Sequence, residues 1–227
     1  MIELVGFLGN PGKEYARNRH NAGYMLAEKL PFYPRLRWQK KFQGFYAALD
    51  RSGIALPETP ESGKEQMENV SGGKIHFIKP ETYMNLSGES VVQAASFFKI
   101  KDNSILVIHD ELELPLGTVS LKFSGGLGGH NGLRSMKASL GNADFWRIRI
   151  GIGRPDNRLP GQGGPPGSGE GIVDWVLSDF SAAEKETLDI VLEKCAELLV
   201  RTLTGNPETL LKEWAKKKIP APGGEDR

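Results

Sequence analysis

The alternation of short apolar runs with segments of helical periodicity is the feature that most restricts the fold of this chain. Four runs rich in β-branched residues predict buried strands at Ile2–Leu8, Lys74–Lys79, Ser104–His109 and Trp146–Ile152. Apolar residues at helical spacing occupy the segments between and after these runs. Strands that alternate with helices are typical of an α/β fold, in which ligands bind beyond the carboxyl ends of the strands.

The helices that we predict differ in how clearly their ends are signalled. The longest begins with a capping box formed by Ser181 and Glu184 and ends at Gly205. Cys195 lies on its apolar face and is therefore assigned to the core. Three shorter helices are predicted at Ala22–Leu30, Gly88–Lys99 and Gly132–Leu140.

A last helix is predicted after Gly205. Asn206 resembles an N-cap, and Pro207 suits the first helical position. We expect this helix to continue to Lys218 and the tail, residues 220–227, to be disordered.

Length and composition fit one globular domain. The chain has 227 residues, of which 39% are hydrophobic and 25% are charged. No apolar run approaches the ~18 residues of a membrane span, and the first strand begins directly after Met1, which leaves no room for a signal peptide. A single cysteine excludes an intrachain disulfide, so we expect a cytoplasmic protein.

Charge is unevenly distributed although its sum is only +1. Residues 1–50 carry eight Lys and Arg against four Asp and Glu, whereas residues 151–200 carry four against nine. A partner with phosphates would therefore bind one face. Solvated helices alone would also explain this asymmetry, so the motifs must decide between the two.

Two stretches interrupt the pattern. Residues 57–73 are rich in Glu, Pro, Ser and Gly, and residues 156–171 are rich in Gly and Pro. Both are predicted to be mobile loops. Because no change in composition flanks them, we interpret them as insertions in a single domain of residues 1–219.

Four segments concentrate Gly, Asn, His and Asp where predicted strands end. Ligands of α/β sheets bind there, so these segments are the candidate site. They are L-G-N-P-G at Leu8–Gly12 running to R-H-N-A-G at Arg19–Gly23, K-P-E-T-Y-M-N-L-S-G at Lys79–Gly88, H-D-E-L at His109–Leu112 and G-G-L-G-G-H-N-G at Gly125–Gly132.

Several chemistries lack their motifs. The sequence has no G-x-S-x-G elbow, no H-E-x-x-H and no phosphate-binding loop of the G-x-x-x-x-G-K-[ST] type. A metal site built from His20, His109, Asp110 and Glu111 is conceivable, but these residues lack ligand-type spacing. We expect no metal and no cofactor.

A histidine, an aspartate and several asparagines suit general-base activation of water. An imidazole would take the proton, and a carboxylate would fix its tautomer. The sequence alone does not pair them. Each residue could instead serve only a local turn, an alternative that weakens when all four segments are considered together.

These segments resemble the motifs of the bacterial-type peptidyl-tRNA hydrolase family. The Phe145–Pro155 and Val176–Phe180 segments are also similar, and the resemblance runs in order from about residue 3 to residue 180. It implies a single α/β domain with a mixed, twisted sheet flanked by helices, no cofactor, and hydrolysis of the ester of peptidyl-tRNA.

The resemblance also assigns roles to individual residues. His20 matches the catalytic histidine, Asp110 the aspartate that orients it, and Asn10 an active-site asparagine. His109 and His130 do not match the base and are interpreted as structural. The residues matched to substrate or tRNA binding are Tyr15, Met84, Asn85, Asn131, Lys122 and Arg149.

Two positions depart from the family pattern, and one other function remains possible. Phe7 stands where glycine is usual, and Asn18 where threonine is usual. A bulky Phe7 would alter strand packing beneath the site. The alternative function is a non-catalytic RNA-binding scaffold of the same fold. We expect a monomer, because no heptad or exposed apolar stripe is evident and no protein partner is implied.

Overall fold

The computed structural model describes residues 1–54, 73–155 and 169–220, whose strands form one mixed sheet. The sheet has the order β2-β3-β4-β1-β5-β7-β6-β8. Strands β4, β1, β5 and β7 are parallel neighbours, and the outer strands pair antiparallel. The strands are β1 Leu4–Phe7, β2 Gln39–Lys41, β3 Gly44–Asp50, β4 Lys74–Pro80, β5 Ile105–Glu111, β6 Thr118–Phe123, β7 Trp146–Gly151 and β8 Lys217–Lys218.

Helices flank both faces of the sheet, which confirms the predicted α/β class. They are α1 Ala22–Glu28, α2 Ser87–Phe98, α3 Asn131–Leu140, α4 Gly169–Leu177 and α5 Ala182–Thr204. The capping box predicted for α5 is present, because Ser181 and Glu184 exchange both of its hydrogen bonds. Cys195 is fully buried, as its place on the apolar face of α5 predicts.

Successive side chains of the central strands point to opposite faces of the sheet, so the core is divided into two clusters, one on each face. In β1, Val5 and Phe7 belong to the cluster that contains α1 and α5, whereas Leu4 belongs to the cluster that contains α2 and α3. In β5, Leu106 faces the first cluster and Val107 the second. Strands buried on both faces read as continuous apolar runs, which is why the sequence revealed these two.

A close approach between α2 and α3 depends on Gly88. A Cβ atom at this position would clash with the backbone oxygen of Ser135, and because that oxygen belongs to the backbone, no change of side-chain conformation would remove the clash. The backbone N–H of Gly88 also donates to the Ser135 hydroxyl at 2.9 Å. This contact fixes the beginning of α2 against α3.

The prediction of a last helix from Asn206 to Lys218 is wrong. Pro207–Leu210 forms only a short 3-10 turn, after which the chain bends back and pairs as β8 with β6. The backbone N–H of Leu121 donates to the Trp214 carbonyl at 2.7 Å, and Trp214 is fully buried. Burial of this indole against the sheet takes precedence over the helical propensity of the segment.

The prediction of a mobile loop at 156–171 also needs correction. Its last three residues, 169–171, belong to α4, which the sequence analysis did not predict. The rest of that stretch, residues 57–72 of the first loop and residues 221–227 of the tail lie outside the described residues. None of the helices within the described ranges has both the length and the apolar character needed to cross a membrane.

Candidate active site

A cavity of about 440 Å³ opens beyond the carboxyl ends of β1 and β4. One side is apolar and is formed by Tyr83 with Val173, Val176 and Leu177 of α4. The other side carries all six cavity residues that the sequence predicted, which are Asn10, Tyr15, His20, Met84, Asn85 and Asn131. The motifs are therefore brought together although 121 positions separate the first of these residues from the last.

His20 and Asp110 form a buried pair. The Nδ1 atom of His20 lies 2.8 Å from Oδ1 of Asp110, and the two residues are 7% and 1% exposed. Because a carboxylate only accepts hydrogen bonds, Nδ1 carries the hydrogen and Nε2 of His20 keeps its lone pair. The sequence did not establish this pairing, since 90 residues separate the partners.

Burial and charge shift the pKa values of His20 and Asp110 in opposite directions. Burial raises the pKa of the Asp110 carboxyl, but the imidazoles of His20 and His130 outweigh it and hold that pKa well below its usual range. Burial likewise lowers the pKa of His20, whereas the Asp110 carboxylate raises it, and the result lies above the ordinary value. Asp110 is therefore ionised and increases the basicity of His20.

Arg19 anchors the loop that carries His20. Its guanidinium donates to both carboxylate oxygens of Glu184 at 2.8 Å and stacks on the Trp175 ring, 3.8 Å from the centroid. It also donates to backbone oxygens of Ser178 and Asp179. These bonds tie the loop to the segment between α4 and α5, so the position of His20 does not rest on Asp110 alone.

Asn10 and Asn21 join two of the motifs. The backbone N–H of Asn10 donates to Oδ1 of Asn21 at 2.8 Å, and Nδ2 of Asn21 donates back to the Asn10 carbonyl at 3.0 Å. Oδ1 of Asn10 accepts the backbone N–H of Met84 at 2.8 Å. This bond fixes the orientation of the Asn10 amide, whose Nδ2 donor has no hydrogen-bond partner among the described residues.

Asn85 and Asn131 have exposed side chains beside the cavity. Within the described ranges neither side chain makes a hydrogen bond, and the N-cap of α3 is His130 rather than Asn131. Their amides therefore do not stabilise a local turn, which was the alternative open to the sequence analysis.

Lys122 and Arg149 lie outside the cavity on one face of β6 and β7. Lys122 is opposite Arg147, and burial together with the charges of Arg149 and Arg147 lowers its pKa. The Arg149 guanidinium bonds to Oε2 of Glu111 at 2.8 and 2.9 Å. Three cations thus share one carboxylate, and Lys122 has no ion pair within the described residues.

The buried Arg147 connects this basic face to the cavity. It donates to the backbone oxygens of Gly125 and Gly126 at 2.9 and 2.7 Å, in the loop that leads to His130 and Asn131. We call Lys122, Arg147 and Arg149 the basic patch. The sequence analysis missed Arg147, whose alternation with Arg149 along a strand was a usable signal.

One group in the described ranges has the composition of a metal site. His20, Asp110 and His130 place one ligand atom each within 4.8 Å of one another. Both histidine nitrogens that face Asp110 are engaged with its Oδ1, at 2.8 and 2.9 Å, so an ion would have to displace both hydrogen bonds. The predicted set is not assembled as such, since Nδ1 of His109 bonds to the Asp110 backbone and Glu111 to Arg149.

The two departures from the motif pattern are accommodated structurally. Phe7 is fully buried, and its ring stacks with Phe77 at 6.4 Å between centroids. Asn18 donates to the Leu177 carbonyl and bridges to Asp179, so it adds to the anchor of the His20 loop. Neither residue lines the cavity.

Comparison with known proteins gives consistent matches over almost the whole chain. A family model described as peptidyl-tRNA hydrolase matches residues 4–222. A crystal structure of a peptidyl-tRNA hydrolase in complex with N-propanol is 31% identical, with a TM-score of 0.76 and 97% of each chain covered. The crystal structure of the peptidyl-tRNA hydrolase of Acinetobacter baumannii is 31% identical, with a TM-score of 0.73, and that of its Arg-to-Gln point mutant is 30% identical, with a TM-score of 0.75. In both cases 96% of each chain is covered.

Proposed function

The chain belongs to the peptidyl-tRNA hydrolase family and is an enzyme that hydrolyses peptidyl-tRNA, and we propose that His20 activates the water that attacks the ester. The observation that carries this proposal is the 2.8 Å bond from Nδ1 of His20 to Asp110, which leaves Nε2 as the base at the cavity. The family assignment agrees with the resemblance found in the motifs.

The proposed reaction needs neither a metal nor a covalent intermediate. Nε2 of His20 takes a proton from water as the water oxygen bonds to the ester carbonyl carbon. The tetrahedral intermediate then breaks its bond to the tRNA ribose oxygen, which takes the proton from Nε2. The products are tRNA with a free terminal hydroxyl and a peptide carboxylic acid, which loses its proton to solvent to become the carboxylate.

Asn10 is our candidate for stabilising the charge on the carbonyl oxygen. Its amide orientation is set by the Met84 N–H, so Nδ2 is the atom that can donate. One such donor supplies about 10²–10³-fold in rate when it is directed at the developing oxyanion.

The direct test is incubation with N-acetyl-aminoacyl-tRNA and measurement of free tRNA released over time. We expect multiple turnovers without added metal. Binding of this substrate without release of tRNA would instead favour the RNA-binding scaffold.

Substrate selection is proposed to depend on Asn85 and Asn131. A blocked substrate has an amide at its α-nitrogen, whose carbonyl can accept from these side chains. Free aminoacyl-tRNA carries an ammonium and lacks this acceptor. Each of these donors that the bound substrate covers and leaves unpaired would cost about 1–3 kcal/mol, or about 5- to 150-fold.

We expect N-acetyl-aminoacyl-tRNA to be cleaved orders of magnitude faster than the same tRNA with a free amine. Asn85→Ala or Asn131→Ala should each reduce the ratio of the two kcat/KM values by about 5- to 150-fold. The control is Asn206→Ala, which removes an amide that caps a turn away from the cavity. An unchanged ratio in folded variants would mean that another part of the site distinguishes the blocked substrate from the one with a free amine.

The basic patch is proposed to bind tRNA phosphates. Its cations outnumber the single carboxylate of Glu111, and such an excess of like charge is stabilised by a bound anion. Lys122 is the better candidate for a direct phosphate contact, since Arg149 is already paired.

Lys122→Ala should raise KM, leave kcat close to the parent value and reduce the slope of log Kd against log salt by about one. Lys194→Ala, an exposed lysine of α5 paired with Glu197, is the matched control and should keep the parent slope. Arg149→Ala should reduce the slope by less than Lys122→Ala does. It should also lower the free energy of unfolding by about 3–5 kcal/mol, because it leaves the buried Glu111 carboxylate without its partner. If both patch variants keep the parent slope, tRNA binds elsewhere.

We retain a cytoplasmic location and a monomeric state as proposals. The reducing compartment is inferred from the single cysteine, which is buried in α5. Light scattering at micromolar concentration tests the monomer, and a mass near twice 24.9 kDa would contradict it.

A further inference from the structure

Both ring nitrogens of His130 are engaged, and their partners determine its tautomer. Nδ1 accepts the backbone N–H groups of Gly132 and Leu133 at 3.1 and 3.3 Å, which makes His130 the N-cap of α3. Because a backbone N–H only donates, Nδ1 has no hydrogen in this arrangement. The hydrogen of the neutral ring is therefore on Nε2, which donates to Oδ1 of Asp110 at 2.9 Å.

Asp110 receives both of its side-chain hydrogen bonds on one oxygen. Oδ1 lies 2.8 Å from His20 and 2.9 Å from His130, whereas Oδ2 is buried and has no partner among the described residues. Among the described residues, these two imidazoles are the only hydrogen-bond partners of the Asp110 side chain, and both favour the orientation that places Oδ1 against His20. They also share the negative charge of that oxygen.

We propose that His130 is a positioning residue for hydrolysis, which holds Oδ1 of Asp110 against Nδ1 of His20 and withdraws part of its charge. The inference rests on the proposed role of His20 as the base. It replaces the purely structural interpretation that the sequence analysis gave to His130.

The ionisable groups around His20 define the expected direction of the effect. Asp110 faces it from β5, the His130 ring lies 4.8 Å away at the start of α3, and Tyr15 lines the same cavity. The His109 ring also lies 4.8 Å from that of His130, and burial together with His130 keeps the pKa of His109 well below the ordinary value, so it is uncharged. Without the hydrogen bond from His130, the full carboxylate charge would act on His20 and strengthen its hold on a proton.

The test is His130→Asn, because asparagine keeps an oxygen that can cap α3 but is too short to reach Asp110. We expect kcat for N-acetyl-aminoacyl-tRNA to fall about 10-fold, the effect of one charge-assisted hydrogen bond, with KM within about twofold. The rising limb of kcat/KM against pH should move to higher pH. His130→Ser, a second capping replacement, should behave alike, whereas Asn206→Ala should leave kcat and the limb unchanged.

A double-variant cycle separates an effect through Asp110 from a general structural one. In an Asp110→Asn background, His130→Asn should cost less than about twofold further, since the bond it removes no longer orients a carboxylate. A folded His130→Asn or His130→Ser enzyme with parent kcat and an unmoved limb would overturn the proposal, as would a full 10-fold loss in the Asp110→Asn background. An active His20→Ala enzyme would instead overturn the assignment of the base, so the two failures are distinguishable.

Discussion

Replacement of His20 by alanine is expected to lower kcat by about 10²–10⁴-fold, the usual contribution of one positioned general base. The imidazole acts mainly in the transition state, so KM and the affinity for tRNA should change by no more than about twofold. The structural reason is that Nε2 of His20 is the ring nitrogen left without a hydrogen at the cavity. The measurement is release of tRNA from N-acetyl-aminoacyl-tRNA at saturating substrate.

The pH dependence of the parent enzyme gives an independent check on the same assignment. A general base works only when deprotonated, so kcat/KM should rise with pH through the pKa of His20. Because Asp110 raises that pKa, the midpoint should lie above the value of about 6.5 of an unperturbed histidine. His76→Ala is a matched control, since this histidine bonds to Tyr46 and pairs in register with Leu4, at the opposite end of β1 from the cavity. Full activity in His20→Ala would remove His20 from the mechanism.

The sequence predicted the central sheet because its strands are rich in apolar, β-branched residues. β1 is a continuous apolar run and β5 begins with one, as is typical of strands buried on both faces, whereas apolar and polar residues are interspersed in β4 and β7; all four strands were found. β2 was missed because all three of its residues are exposed and it has no apolar pattern. β6 was missed although Val119 and Leu121 alternate with polar residues, so its signal was present.

The candidate site was predictable in its parts but not in its connections. The resemblance of the motifs to the family, rather than Gly and Asn at strand ends alone, identified six of the residues that line the cavity, including Tyr15 and Met84. The apolar side was missed because the short apolar pattern of α4 follows a Gly/Pro-rich stretch that suggested only a loop. The role of His130 depends on which atoms meet at Oδ1 of Asp110, and no spacing along a chain specifies that.

Substitution of Asp110 by asparagine is expected to lower kcat by about 10²–10⁴-fold although the shape of the side chain is kept. A neutral amide cannot stabilise the imidazolium that forms when His20 takes a proton. If the amide nitrogen faces Nδ1, it also selects the tautomer whose Nε2 already carries a hydrogen and cannot act as a base. The control is Asp189→Asn, which removes an exposed carboxylate of α5 that pairs with Lys29.

The sign of the pH shift in Asp110→Asn distinguishes loss of charge from loss of fold. In the parent, burial lowers the pKa of His20 and the Asp110 carboxylate more than offsets it. Removal of the carboxylate leaves burial unopposed, so the rising limb of kcat/KM should move to lower pH. His130→Asn is expected to move the same limb in the opposite direction, because it leaves the carboxylate in place with more of its charge for His20. A partly unfolded variant would lose rate at every pH without moving the limb, whereas an unchanged rate and limb in Asp110→Asn would exclude this carboxylate from the chemistry.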